Sequence, residues 1–371
     1  MVTTVSTPFT LPTEAERKAI LAGCTRFLPG HPPHSPKETL AALAAATDEA
    51  DDWDLYGVGE TVAAFEGEIA ALLGKEAAVF LPTGTMTQQI ALRIWADRTG
   101  RRSVAFHPMC HVEGREEKAY QLLHGLHAKL VGDAHRLMTL ADLEGSTDPI
   151  AAVLWELPQR DLGGQLPPWD DLVAQTAWAH AHGAATHMDG ARLWESTPFY
   201  GRSYAEIAAP FDSVYVSFYK GLGAMSGSAL AGSADFIASA RVWQKRHGGT
   251  LYHIAPYVLS ARQSLRLRLD RFPTYHERAV QIAAVLSRIP GIRVNPDPPQ
   301  THMMHVYLEG DADHLTAAAY TLMQTERVAF FRTLRPTDVP GISMFELSIG
   351  DGALALTDDE IRDLFTRVME A

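Results

Sequence analysis

Two short stretches of this 371-residue chain hold residue types that do chemistry in the right setting. His187-Met188-Asp189-Gly190-Ala191-Arg192 puts a carboxylate at the end of a predicted buried strand. Ser217-Phe218-Tyr219-Lys220-Gly221-Leu222-Gly223 puts a lysine at the end of another, with small residues after it. In open α/β sheets ligands bind beyond the carboxyl ends of strands, so both side chains are expected to face one crevice. A third stretch, Thr83-Gly84-Thr85, lies between a strand and a helix. There a glycine lets an anion approach, and free N–H groups with a hydroxyl receive it. The three together suit pyridoxal phosphate. The lysine forms a Schiff base, the carboxylate keeps the pyridine nitrogen protonated so that the ring accepts electrons, and the turn holds the phosphate. Read alone, Asp189 is a helix N-cap, Lys220 a solvated lysine and Gly84-Thr85 an ordinary helix start. Their order, each at a strand end, favours the cofactor.

The elements that must position these residues are readable from periodicity. Val62, Phe65, Ile69, Leu72 and Leu73 recur at helical spacing, with Gly74 as the C′ residue. Short apolar runs at Ala77–Leu81, Val104–Phe106, Ala128–Val131, Ile150–Trp155, Ala184–Met188, Val214–Phe218 and Ala229–Ala231 alternate with helical patterns such as Trp169–His182. That alternation predicts an α/β domain whose mostly parallel sheet is covered on both faces. Before it, residues 1–52 read as an N-terminal arm, with a helix at Glu14–Ala22, a proline-rich loop over 28–36 and a second helix from near Lys37. Residues 53–262 form the large domain. Residues 263–371, with strands Met303–Leu308 and Met344–Ile349 and helices over 313–326 and 357–369, form a smaller α+β domain. The Arg262–Arg271 run reads as an amphipathic segment with a solvated face.

Composition narrows the partners. With 32 Lys+Arg against 44 Asp+Glu, the net charge of −12 argues against nucleic acid and anionic membranes, and leaves a small-molecule substrate. Lys245-Arg246 form a local basic patch that could hold a small anion. No apolar stretch is long enough to cross a membrane, and Cys24 and Cys110 provide neither a disulfide framework nor a metal cluster, so a cytoplasmic protein is expected. His107 and His111 have the i,i+4 spacing of a zinc helix, but Pro108 between them breaks that helix and no metal is expected. His124 and His127, beside Gly125, read as surface residues, and Tyr219 as a packing residue.

Gly84-Thr85-Met86, His111, Asp189 through Trp194, and Ser217 through Gly223 followed by Gly227 through Gly232 resemble the L-threonine aldolase/β-eliminating lyase family. These are pyridoxal-phosphate enzymes of the aspartate-aminotransferase fold, fold type I, with a large domain built on a seven-stranded type of mostly parallel sheet. The resemblance runs from about Tyr56-Gly57 to about Gly249. It implies that Lys220 carries the cofactor, Asp189 pairs with its ring nitrogen, Gly84 and Thr85 bind its phosphate, and His111 stacks on the ring and assists proton transfer. Arg192 would lie beside the cofactor and reach the substrate carboxylate. A homodimer or homotetramer is implied as well, with Tyr252 or Arg246 as contacts across the subunit boundary.

The chain departs from the family pattern in its substrate half. A Glu-Asn-Thr-His-Asn run is replaced by Glu156-Leu157-Pro158-Gln159-Arg160, so Gln159 stands where a second histidine would, and Glu156 is read as lying near the substrate. The N-terminal Ser-Asp-Thr signature is absent around Thr25–Pro29. Tyr252 stands where a phosphate-binding arginine would, and Phe345-Glu346-Leu347 replace the region of the C-terminal substrate arginine, leaving Arg332 or Arg335 to substitute. The expected activity is cleavage of the Cα–Cβ bond of a β-hydroxy-α-amino acid to glycine and an aldehyde. The alternative is β-elimination or racemisation of another small amino acid.

Overall fold

The computed structural model describes residues 10–146 and 148–371; residues 1–9 of the expected N-terminal arm lie outside them. The chain divides into two units. The larger holds residues 34–272, and the smaller joins the segment up to Pro33 to Pro273–Ala371.

The larger unit is built on a seven-stranded sheet. Its order is Ala77–Leu81, Ser228–Gly232, Ser213–Ser217, Ala185–Gly190, Ile150–Glu156, Ser103–Phe106 and His127–Leu130. Only Ser228–Gly232 runs antiparallel to its neighbours; the remaining pairings are parallel. Ile150–Glu156 is buried along its whole length, which is why a central parallel strand reads as a continuous apolar run rather than as an alternation. Val79, Leu81 and Leu230 of the sheet pack with Ile90, Ala91 and Ile94 of the Gly84–Thr99 helix and with Phe236, Ile237 and Ala240 of the Ala234–Arg246 helix. The Glu60–Leu72 helix buries Val62, Phe65 and Ile69, and Gly74 follows at φ 62°, as the spacing predicted.

An aromatic cluster holds the lysine segment. Phe218 stacks on Phe80 at 5.8 Å, meets Phe65 at 5.2 Å and stacks on Trp194 at 6.2 Å. Each fully buried ring contributes roughly 1.5–3 kcal/mol of transfer free energy, so the residue two places before Lys220 is among the firmly anchored ones in the unit. The Arg262 face is less solvated than the sequence suggested. Arg262 pairs with Asp51, and Arg268 donates to the Leu222 carbonyl at 2.8 Å.

The smaller unit carries a four-stranded antiparallel sheet in the order Arg335–Pro336, Ile342–Ser348, Met303–Glu309 and Ile292–Asn295. Ile342–Ser348 alternates between buried and half-buried positions, the pattern of a sheet covered on one face. Arg26–Phe27 pairs in parallel with Val328–Ala329, and this ties residues 10–33 to the C-terminal segment. The division therefore differs from the expected bounds at 52/53 and 262/263. The contacts that set it, Arg26–Phe27 on Val328–Ala329 in one unit and Asp51 on Arg262 in the other, join residues far apart in sequence and leave no mark on local composition. Within this smaller unit Arg332 and Arg335 line a cavity of about 630 Å³ together with His31 and Glu346.

Candidate active site

Parallel pairing sets the first relationship. Glu156 lies opposite Asp189 across one pair of strands, and Asp189 opposite Tyr215 across the next, so three polar side chains arrive together at the carboxyl end of the sheet. Asp189 is buried and accepts from the Ala191 N–H at 3.1 Å. Lys220 sits three residues beyond the end of Ser213–Ser217, where the sequence had put it directly at a strand end. A turn closed by Gly223 N–H to the Lys220 carbonyl, 3.0 Å, holds it there. Two hydrogen bonds fasten the aspartate and lysine segments to each other: Ser217 Oγ to the Ala191 carbonyl at 2.7 Å, and Trp194 Nε1 to the Ser217 carbonyl at 2.8 Å.

The electrostatics suit a reactive amine. Burial draws Lys220 below its ordinary value and the nearby Arg192 lowers it further, against the opposing pull of Asp189 and Glu156. Arg192 lies 3.8 Å from the carboxylate of Glu195, which is buried. Glu156 is raised to about 7, chiefly by burial and then by the charge of Asp189. Its oxygens are taken by protein donors: the His111 N–H at 3.0 Å, the Arg160 N–H at 3.1 Å and Gln159 Nε2 at 3.4 Å. Gln159 is itself buried and also donates to the Met109 carbonyl at 3.2 Å. Glu156 and Gln159 thus brace the loops around His111.

His111 opens a short helix, His111–Gly114. Its Nδ1 lies 2.9 Å from Oε1 of Glu116, whose side chain is 1% exposed against 30% for the imidazole. Gln89 Nε2 donates to the other oxygen of Glu116 at 2.8 Å. Burial draws the Glu116 carboxyl up, while the hydrogen bonds from His111 and Gln89 act the other way. His107, the other histidine of the pair, turns its Nε2 to the carbonyls of Asp133 and Arg136, each at 2.8 Å.

The Thr83-Gly84-Thr85 turn is a true helix start. Thr83 caps the 16-residue helix Gly84–Thr99, accepting from the Met86 N–H at 3.2 Å. That leaves the first N–H groups and the positive end of the helix dipole for an anion. The hydroxyls of Tyr215 and Tyr219 converge on Gly84, filling the space a Cβ would need. Tyr215, Glu116 and Gln89 were not singled out from the sequence, and Tyr219 was read as packing alone. Tyr215 and Gln89 sit at strand and helix positions like those of ordinary core residues, and Glu116 and Tyr219 lie outside helices and strands, so only the fold identifies them.

Three placements differ in kind. Tyr252 is exposed, with its ring edge-on to Tyr56 at 5.3 Å and beside His253 at 4.3 Å. Lys245 lines a cavity of about 480 Å³ with Tyr56, Glu66 and Arg241, while Arg246 lies over the Trp243 ring at 4.5 Å. His124, expected on the surface, is 6% exposed. It is covered by Trp243 and His247, at 5.6 and 5.0 Å between ring centroids, which the sequence places more than a hundred residues away.

A helix N-terminus ringed by hydroxyls, a buried carboxylate, a lysine and a partly open imidazole form a donor set that fits pyridoxal phosphate, and with the sheet order they define a pyridoxal-phosphate enzyme of fold type I. Sphingomonas wittichii serine palmitoyltransferase shares this fold at 18% identity, with a TM-score of 0.66 over 96% of this chain and 95% of that one. The family model for beta-eliminating lyases matches residues 36–309. Low-specificity L-threonine aldolase 1 of Arabidopsis thaliana is 31% identical over 284 residues, 74% of this chain and 78% of its own length. A candidate L-allo-threonine aldolase from Listeria monocytogenes EGD-E superposes with a TM-score of 0.92 at 38% identity, over 96% of this chain and 99% of that one. The chain belongs to the beta-eliminating lyase family and is a pyridoxal-phosphate-dependent lyase. Among the described residues no helix is long and apolar enough to cross a membrane.

Proposed function

We propose that this lyase acts on a small β-hydroxy-α-amino acid, cleaving its Cα–Cβ bond to give glycine and an aldehyde. The observation that carries the reading is the half-buried amine of Lys220 at the strand ends with His111, whose backbone is fixed on Glu156 and whose Nδ1 is held by Glu116. Pyridoxal phosphate, when bound, supplies the electron sink that weakens the bonds at Cα. Lys220 would hold it, Asp189 would keep its ring nitrogen protonated, and Gly84 and Thr85 would hold its phosphate with the help of Tyr215. His111 would pack on the ring and accept the proton of the β-hydroxyl. Gln159 offers an amide, which is no base, so this proton falls to His111. Arg192 would orient the substrate carboxylate. Incubating the purified holoenzyme with threonine and allo-threonine and assaying products tests the reading. Glycine with acetaldehyde supports it, and their absence across a panel of β-hydroxy amino acids overturns it.

One observation favours β-elimination as a second reading. The lowered pKa of Lys220 makes its free amine available as a base for the α-proton. Pyruvate with ammonia as the products of serine would decide for elimination.

We further propose a homo-oligomer. Trp53, Leu55, Tyr56, Val58 and Tyr252 are all exposed. Yet the loop carrying most of them is pinned, because the buried carboxylate of Asp54 accepts from the N–H groups of Gly57, Ile254 and Ala255 at 2.7–2.8 Å. A contiguous apolar patch on a fixed loop is a protein contact surface, and Tyr252 there would reach a neighbour's cofactor. Light scattering should find an oligomer that Tyr56→Glu with Tyr252→Glu dissociates; a monomeric wild type would end this reading. A cytoplasmic location is proposed on the two buried free thiols, Cys24 and Cys110. Cell fractionation tests it.

A further inference from the structure

We propose that Glu116 is the positioning residue that makes His111 a base, and that Gln89 determines which way Glu116 can do so. This rests on the reading of His111 as the group that accepts the substrate's proton. A carboxylate can only accept, so at 2.9 Å from Glu116 Oε1 the proton of a neutral His111 lies on Nδ1, and Nε2 is left as the bare nitrogen. No protein group among the described residues engages Nε2, and the ring is 30% exposed. A buried acceptor behind, an open lone pair in front: that is how a third group orients a general base.

Gln89 adds the constraint. Its Nε2 donates to Glu116 Oε2, while its own Oε1 is buried with no partner. Turning the amide over would set that carbonyl against a carboxylate, so the orphaned oxygen is tolerated because the donor is needed where it is. The consequence is specific. If residue 116 becomes glutamine and the Gln89 amide keeps its present orientation, the new carbonyl stays at the Gln89 donor and the new NH₂ takes the place of Oε1. That NH₂ donates to Nδ1, moves the His111 proton to Nε2 and removes the base, although shape and hydrogen-bond number are almost unchanged.

The test is a ¹⁵N spectrum of histidine-labelled holoenzyme, with the His111 signals assigned by their loss in His111→Asn, alongside aldol cleavage rates. Wild type should show His111 protonated at Nδ1. Glu116→Gln should show it protonated at Nε2, with cleavage slowed roughly 10²–10⁴-fold and the visible absorption of the bound cofactor retained. Adding Gln89→Leu frees the new amide to rotate. The double variant should return to the Nδ1 form and recover cleavage by about tenfold or more, which no loss of packing would produce. A Glu116→Gln protein that keeps the Nδ1 form, or a folded double variant that stays in the Nε2 form, overturns the proposal. If Glu116→Gln does not fold, the wild-type spectrum decides, since a bare Nδ1 there is also fatal. A wild type that makes no glycine yet switches tautomer with Glu116→Gln would sink the aldolase reading and leave the pairing standing. Cleavage with no tautomer switch would do the reverse.

Discussion

The hydroxyl of Tyr215 lies 1.9 Å from the point that a Cβ on residue 84 would occupy, with the Tyr219 hydroxyl 3.1 Å from the same point. Position 84 is glycine because a tyrosine from the next-but-one strand already fills the place of its side chain. Both the ring of Tyr215 and Gly84 itself are buried, so neither can step aside without disturbing the core. Gly84→Ala should cost about 1–3 kcal/mol of stability and weaken pyridoxal-phosphate binding, read as a higher cofactor concentration for half-reconstitution. Tyr215→Phe in the same chain should relieve part of the stability loss but not the weaker binding. A Gly84→Ala protein that reconstitutes like wild type would show that the turn does not hold the phosphate.

Among the described residues Lys220 is the one lysine beside Asp189 and Glu156. Borohydride treatment of the holoenzyme followed by peptide mapping should find the reduced cofactor on the peptide containing Lys220. Lys220→Ala should carry none and lose turnover by several orders of magnitude. Label on another lysine would refute the assignment.

Ser217 and Ala191 link the two motifs by a 2.7 Å hydrogen bond in a fully buried setting. Ser217→Ala leaves the Ala191 carbonyl short of a donor, which costs about 1–3 kcal/mol. The expected outcome is a lower urea midpoint with the slope unchanged, together with reduced turnover because the aspartate and lysine segments lose their common fastening. Stability equal to wild type would mean that the Trp194 bond alone suffices.

His124 is buried with both ring nitrogens unpartnered, and burial, then His247 and Arg93, hold it down to about 4 against a smaller opposing effect of Asp97. The folded state therefore resists a proton that the unfolded chain takes up near pH 6.5. Its contribution to stability is full above that value and is lost as pH falls from about 6.5 towards about 4. His124→Leu removes two unsatisfied polar atoms and one acid-sensitive group. It should raise the thermal midpoint at pH 7 and flatten the fall between pH 6.5 and 4. A lower midpoint would mean that a partner outside this chain satisfies the imidazole.

Much of the larger unit was legible in the sequence because its determinants are local. Seven apolar runs, a glycine at C′ of the Glu60–Leu72 helix, and a Thr-Gly-Thr turn before Met86 each follow from backbone geometry acting over a few residues, and each appears in the structure within a residue or two. The residue types at 189 and 220 were enough to suggest the cofactor, since few other chemistries need a carboxylate and a lysine at successive strand ends. What the sequence could not reveal is who stands next to whom. Glu116 and Gln89 lie 27 positions apart, Tyr215 and Gly84 131 positions, and His124 and Trp243 119 positions, and no periodicity records such encounters. The burial of Glu156 and Gln159 among protein donors, the exposure of Tyr252 and the joining of residues 10–33 to the C-terminal sheet are likewise long-range. Local propensity determined which elements form and where a reactive side chain could sit. Only the packing of those elements decided which neighbours desolvate it, orient it and leave one face open.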